Sequence, residues 1–197
     1  LIRMTARNVL IVDAHPDPCP ERFVHALADS YAAGVRDAGG DVRRIDLAGL
    51  KFDLLDSRSQ WEEETPSPEI AAAQQDILWA GHIVFLYPLW LGDMPALLKG
   101  FLEQVARPGF ALGTGAMPAA LLKGKSARIV VTMGMPALFY RFFYRAHSLK
   151  SFERNILKFV GIKPVTHSIV GNVEGEPEHR QRWLARMGEL AAEDVRG

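Results

Sequence analysis

The sequence predicts an α/β fold: a doubly wound three-layer sandwich on a five-stranded parallel sheet of order 2-1-3-4-5. Two observations predict it. Five short strand-like runs alternate with helix-period segments of about 10–25 residues, the length that parallel crossovers need and hairpins do not. Neither an internal repeat nor a shift in composition divides the 197 residues, so a single domain, 1–197, is expected.

Residues 8–14 (NVLIVDA) form a β-branched run, the pattern of a strand buried on both faces. Residues 15–20 (HPDPCP) then exclude regular structure, because prolines remove donors and restrict their predecessors. A helix is expected from Pro20 or Glu21, with Phe23, Ala26, Leu27, Ser30, Tyr31 and Gly34 on one stripe and Gly39-Gly40 ending it. Residues 41–47 read as the second strand, and 51–66 as a loop with at most a short turn. Ser67-Pro68-Glu69 opens the next helix as cap, first-turn proline and first-turn acid, and Gly81 follows its end. Residues 82–88 give the third strand and 95–106 a helix led by Pro95. Residues 127–132 are the fourth strand, 138–160 a helix with a break, 163–171 the fifth strand and 177–195 a polar closing helix.

Lys and Arg total 23 and so do Asp and Glu, a balance that removes the electrostatic case for nucleic acid or a polybasic membrane anchor. The single Cys19 has no internal disulfide partner, which points to a reducing cytoplasm. The longest apolar run, 83–91, is nine residues and contains Pro88, far short of the ~20 that cross a bilayer. Leu1-Ile2-Arg3-Met4 lacks the apolar stretch of a signal peptide. The expectation is a cytoplasmic protein without direct membrane insertion.

Ligands of such sheets bind at the carboxyl ends of the strands, near the switch point between strands one and three. Three loops meet there. The first, from His15 to Phe23, runs into a helix N-terminus whose free amides suit a phosphate, with Arg22 as a further partner. Its prolines equally serve to stiffen a turn, and His15 alone equally suits a packed residue. The second places Pro88, Leu89, Trp90 and Leu91 at a strand end, where large apolar side chains are unusual unless a flat ring packs on them. Trp90 as a core cap or subunit contact is the other reading. In the third, Gly134 lets the backbone approach a ligand and present amides. Residues 138–144 (LFYRFFY) are too aromatic for an ordinary exposed helix and are expected as a lid or homodimer interface, the alternative being burial of Leu138, Phe142 and Phe143 in the core.

Competing chemistries find little support. Gly124-Lys125-Ser126 precedes a strand and has Ala119 where a phosphate loop needs glycine, the six histidines lack metal-ligand spacing, and no Gly-x-Ser-x-Gly elbow occurs.

Taken together, AHPDP (14–18), YPLWLGDMPALLKGFLEQV (87–105) with PGFA (108–111), and VVTMG (130–134) resemble the flavodoxin-like NAD(P)H:quinone oxidoreductase family, which includes the quinone reductases and the potassium-efflux ancillary reductases. The resemblance runs from about residue 8 to 171, in order and spacing. It implies a flavodoxin-like sandwich that binds FMN, with FAD as the alternative. His15, Cys19, Glu21, Arg22 and Phe23 would surround the ribityl phosphate, Pro88 to Leu91 the ring edge and face, and Thr132, Met133, Gly134 and Met135 its pyrimidine side. The family keeps two catalytic donors here: Tyr140 falls on the position of the first, and His147 lies one residue out of register from that of the second. The chain departs from the family in reading Pro20-Glu21-Arg22-Phe23 where serine is usual, and in carrying Met135 for a second glycine.

The implied function is hydride transfer from NAD(P)H through the flavin to a quinone-like acceptor, by a ping-pong mechanism, in a homodimer. Backbone donors near Gly134 and Met135 would stabilise charge on the reduced ring, each worth on the order of 3 kcal/mol. The alternative is a regulatory subunit of the same fold that senses redox cofactor beside a partner such as a transporter. A one-electron carrier of the flavodoxin type fits less well, because that type resembles a strongly acidic protein with a Ser/Thr-rich phosphate loop.

Overall fold

A computed structural model describes residues 6–115 and 117–197, so Leu1 to Met4 lie outside the described residues. Five parallel strands, β1 (Val9–Asp13), β2 (Val42–Asp46), β3 (His82–Pro88), β4 (Ser126–Thr132) and β5 (Val165–Val170), form one sheet of order β2-β1-β3-β4-β5, as expected. In β1, β3 and β4 every residue is buried, whereas β2 and β5 are edges and show it: Arg43 and Arg44 of β2 and His167 of β5 reach polar partners.

Strand periodicity divides the core. Val9 and Ile11 of β1, Val84 and Leu86 of β3 and Val130 of β4 face one layer, built by α1 (Phe23–Asp37) and the last helix, α7 (Pro177–Arg196). Leu10, Val12, Ile83, Phe85, Tyr87, Ile129 and Val131 face the other, built by α3 (Pro68–Trp79), α4 (Ala96–Val105) and the segment after β4. The helices α1 and α7 approach so closely that a Cβ on Gly34 would lie 2.6 Å from the Gly188 carbonyl oxygen, which explains glycine on that stripe.

Local signals set the boundaries. Ser67 Oγ accepts from the Ile70 amide and caps α3 as expected. Helix α1 begins at Phe23, later than Pro20 or Glu21, because Arg22 keeps an extended backbone (φ −66°, ψ 130°) as its N-cap. Pro95 is likewise the N-cap of α4 and not its first residue. The loop 51–66 holds one helical turn, α2 (Arg58–Glu62), capped by Ser57. The segment 138–160 breaks where expected to break somewhere: α5 (Ala137–Phe142) ends, Arg145 and Ala146 take left-handed φ of 53° and 49°, and α6 (His147–Ser151) runs into a π-helical turn, Phe152–Leu157. No described helix is long and apolar enough to cross a membrane.

Candidate functional site

The three loops do converge at the carboxyl ends of adjacent strands. The Leu89 amide donates to the Thr132 carbonyl at 2.8 Å, joining the second loop to the third, and the His15 ring meets Trp90 edge-on at 6.0 Å between centroids, joining the first to the second.

The first loop is held by its own polar groups. His15 is buried, and its Nδ1 accepts from the Asp17 amide at 3.1 Å. Burial pulls the His15 pKa down, which suits a neutral ring that accepts. Asp17 accepts from the Cys19 amide at 2.9 Å and pairs with Arg22 at 2.5 Å, so the guanidinium expected to meet a phosphate already neutralises a carboxylate. The Cys19 thiol donates to Glu21 at 2.7 Å. That bond is the main cause lowering the Glu21 pKa, and it raises that of Cys19. Phe23 turns inward to the α1–α7 core with Arg180 stacked over it at 4.6 Å, leaving only its amide for a ligand. Among the described residues the Phe23 and Val24 amides have no acceptor, as the first turn of a helix dictates.

In the second loop Pro88 is buried, Leu89 half-buried, and Trp90 to Asp93 form a hairpin closed by reciprocal backbone bonds of 2.9 and 3.0 Å. Its two central residues, Leu91 and Gly92, have φ of 49° and 81°. Glycine takes that conformation freely, but leucine does so at a cost of about 1–2 kcal/mol. Leu91 is fully exposed and Trp90 is 48% exposed, so neither serves as a core cap. A groove of about 490 Å³ runs beside the hairpin, lined by Trp90, Leu91, Met94, Ser148, Ser151 and Ile156.

In the third loop Thr132 and Met133 are buried, and the Met133 amide donates to Val170 at 2.9 Å. The Gly134 and Met135 amides donate to no other described residue. A Cβ built on Gly134 would meet no atom within 4 Å, so the backbone there faces open space. Donors unpaired among the described residues at the end of β4, with an exposed indole following the neighbouring β3, suit a flat ring with carbonyl acceptors on one edge, which is the chemistry of an isoalloxazine.

Tyr140 is 1% exposed, and its hydroxyl lies 2.7 Å from Ser148 Oγ and accepts from the Leu149 amide at 3.3 Å. It fastens α5 to α6. His147, the residue before Ser148, is exposed and its ring forms no hydrogen bond with another described residue. Leu138, Phe142 and Phe143 are 65%, 73% and 69% exposed, which overturns the alternative that they fill the core. Phe139 and Phe143 stack on each other at 4.8 Å as a surface cluster.

Sequence reasoning passed over Asp13, His25 and Arg44, which meet beneath the first loop. Asp13 Oδ2 lies 2.6 Å from both His25 Nδ1 and the Arg44 guanidinium. The available signal was an aspartate closing an otherwise apolar buried strand, a position that demands a cation.

The model of a family with a flavodoxin-like fold matches residues 7–192. An uncharacterized NAD(P)H oxidoreductase of Haemophilus influenzae is 30% identical over 171 residues, 84% of each chain. The NAD(P)H:quinone oxidoreductase from Methanothermobacter marburgensis has 25% identity and a TM-score of 0.83, covering 95% of this chain and 98% of that one. An FMN-dependent NADH-azoreductase from Bacillus anthracis, solved in complex with FMN, shares the fold at 17% identity with a TM-score of 0.76, covering 95% and 99%.

Proposed function

From the premise that the chain belongs to the flavodoxin-like fold family, we propose that it is a flavin-dependent NAD(P)H oxidoreductase acting on quinone-like acceptors. The carrying observation is the pair of amides at Gly134 and Met135 that donate to no other described residue, with Gly134 facing open space, at the end of the strand beside the one that leads to Trp90. Flavin, when bound, supplies the hydride chemistry.

The chain's own residues supply position and charge. Trp90 and Leu89 would offer the ring an apolar wall, and the Gly134 and Met135 amides would supply donors to the edge on which negative charge develops on reduction. The free amides of α1 and the proline-rich turn before it would hold the phosphate. FMN is the flavin proposed, with FAD as the alternative; the azoreductase of the same fold holds FMN. The groove beside the hairpin has room for a nicotinamide or quinone ring in turn, the basis of a ping-pong order. His147, exposed, is the proton donor to product, and Tyr140 sets its place by tying α5 to α6. The aromatic cluster of α5 forms a homodimer interface or a lid over the groove.

The absorbance spectrum of the purified protein and chromatography of its released cofactor test the flavin. Steady-state NAD(P)H oxidation with a quinone tests the reaction: parallel double-reciprocal lines support the ping-pong order. Flavin binding with no turnover on any quinone-like acceptor favours the regulatory subunit instead.

A further inference from the structure

The first loop is anchored by a side chain to which no role has been given. His25, in the first turn of α1, places Nδ1 2.6 Å from Asp13 Oδ2 and Nε2 2.9 Å from the Asp17 carbonyl oxygen. Both partners accept. A carbonyl has no proton to give, and the Asp13 oxygen that meets the ring also accepts from the Arg44 guanidinium at 2.6 Å. A ring flanked by two acceptors must donate from both nitrogens, and only the imidazolium does that.

We propose that His25 is a positioning residue: as an imidazolium it latches the phosphate-binding loop to the end of β1, and the loop's grip on a phosphate depends on that proton. The inference rests on reading the loop as the flavin phosphate site. His25 bridges the fixed Asp13, itself buried in the sheet, to the one carbonyl that sits midway along the loop, and so sets the height of the Asp17–Cys19 turn above the α1 amides.

The groups facing the ring are Asp13 from β1, Arg44 from β2, and His15 and Asp17 from the loop, with the His15 ring 5.5 Å away. Arg44 is shared with Asp29 and Asp46, and Arg22 covers the Asp17 carboxylate. Burial and Arg44 work against the proton, but the bonds to Asp13 and the Asp17 carbonyl outweigh them and hold the His25 pKa above its usual value. His15 moves the opposite way, chiefly through burial and in part through the charge on His25. The two rings are thus pushed in opposite directions within one loop. With a raised pKa, the latch is closed at low pH and opens as pH rises through that pKa. An opened latch points a lone pair at the Asp17 carbonyl or at Asp13, and the loop is released.

The state of the ring is read by ¹⁵N NMR of the cofactor-free protein. At pH 7 both His25 nitrogens should be protonated, and a neutral tautomer there overturns the proposal. Titration of wild type and His25→Gln with FMN, with riboflavin as the phosphate-free probe, reads the consequence from pH 6 to 9. We expect the variant to bind FMN about tenfold more weakly near pH 6.5, with the ratio closing toward one at pH 9 and riboflavin unaffected. The second ionisation of the phosphate cancels in that ratio. A ratio that stays constant with pH, or an equal loss for riboflavin, overturns the latch. Failure of the wild type to bind either probe removes the flavin reading alone. The latch is then judged by the Asp17 and Cys19 amide resonances, which must titrate in step with His25 in the wild type and overturn it if they do not.

Discussion

Leu91 holds a left-handed backbone while its side chain contacts only solvent, so the strain has no compensation inside the folded chain. Such strain fits a hairpin whose apolar tip is kept for a ligand. Leu91→Gly should relieve it and stabilise the protein by about 1 kcal/mol, raising Tm by about 2–4 °C, while weakening flavin binding by loss of apolar contact. Thermal melts with and without FMN check both signs, and an unchanged flavin affinity would separate the strain from function. Residue roles were the least legible part of the sequence. Trp90 stood out because a strand end rarely offers an exposed indole, and that oddity is visible in composition. Arg22 looked equally available, yet it sits on Asp17, and Asp13 with His25 and Arg44 unites β1, α1 and β2. Contacts between side chains far apart in sequence leave no local pattern to read.

Among the elements, α7 depends on charge as well as apolar contact. Asp194 accepts from Arg128 at 2.5 and 2.9 Å and from the Tyr31 hydroxyl at 2.6 Å, with His82 Nε2 3.3 Å away but off the hydrogen-bond direction. Burial opposes ionisation of Asp194, but His82, Arg128 and Tyr31 beside it hold its carboxyl far below the usual carboxylate range. Its stabilisation is therefore present above pH 4 and is lost as pH falls below that value. Asp194→Ala leaves Arg128 buried without a counter-charge and should cost about 3–5 kcal/mol at pH 7. Denaturant melts of both proteins should show the gap narrowing below pH 4; a constant gap would mean that packing, not charge, is lost. The elements themselves were readily legible: β3 was bounded correctly from its apolar run, and Ser67-Pro68 announced α3. The turn α2 was not, because it buries no residue and so has no apolar stripe. The stop at Arg145-Ala146 was not placed either, since neither residue type favours a left-handed backbone.

For the molecule as a whole, the α5 cluster of Leu138, Phe139, Phe142 and Phe143 is an exposed apolar surface of the kind that a second subunit covers. Phe142→Ser with Phe143→Ser should convert a dimer to a monomer in analytical ultracentrifugation without lowering Tm, since neither side chain supports the core. A wild-type chain that sediments as a monomer leaves the lid as the remaining role for this cluster. The strand order was predictable because five strands joined by helices allow few right-handed arrangements. The tie between Asp194 and Arg128 also orders events on the ribosome. β4 carries a guanidinium long before its counter-ion has been translated, and the flank of α1 that meets α7 stays bare for as long. Any early product is thus a half-covered sheet, and the nascent protein needs shelter until α7 leaves the exit tunnel.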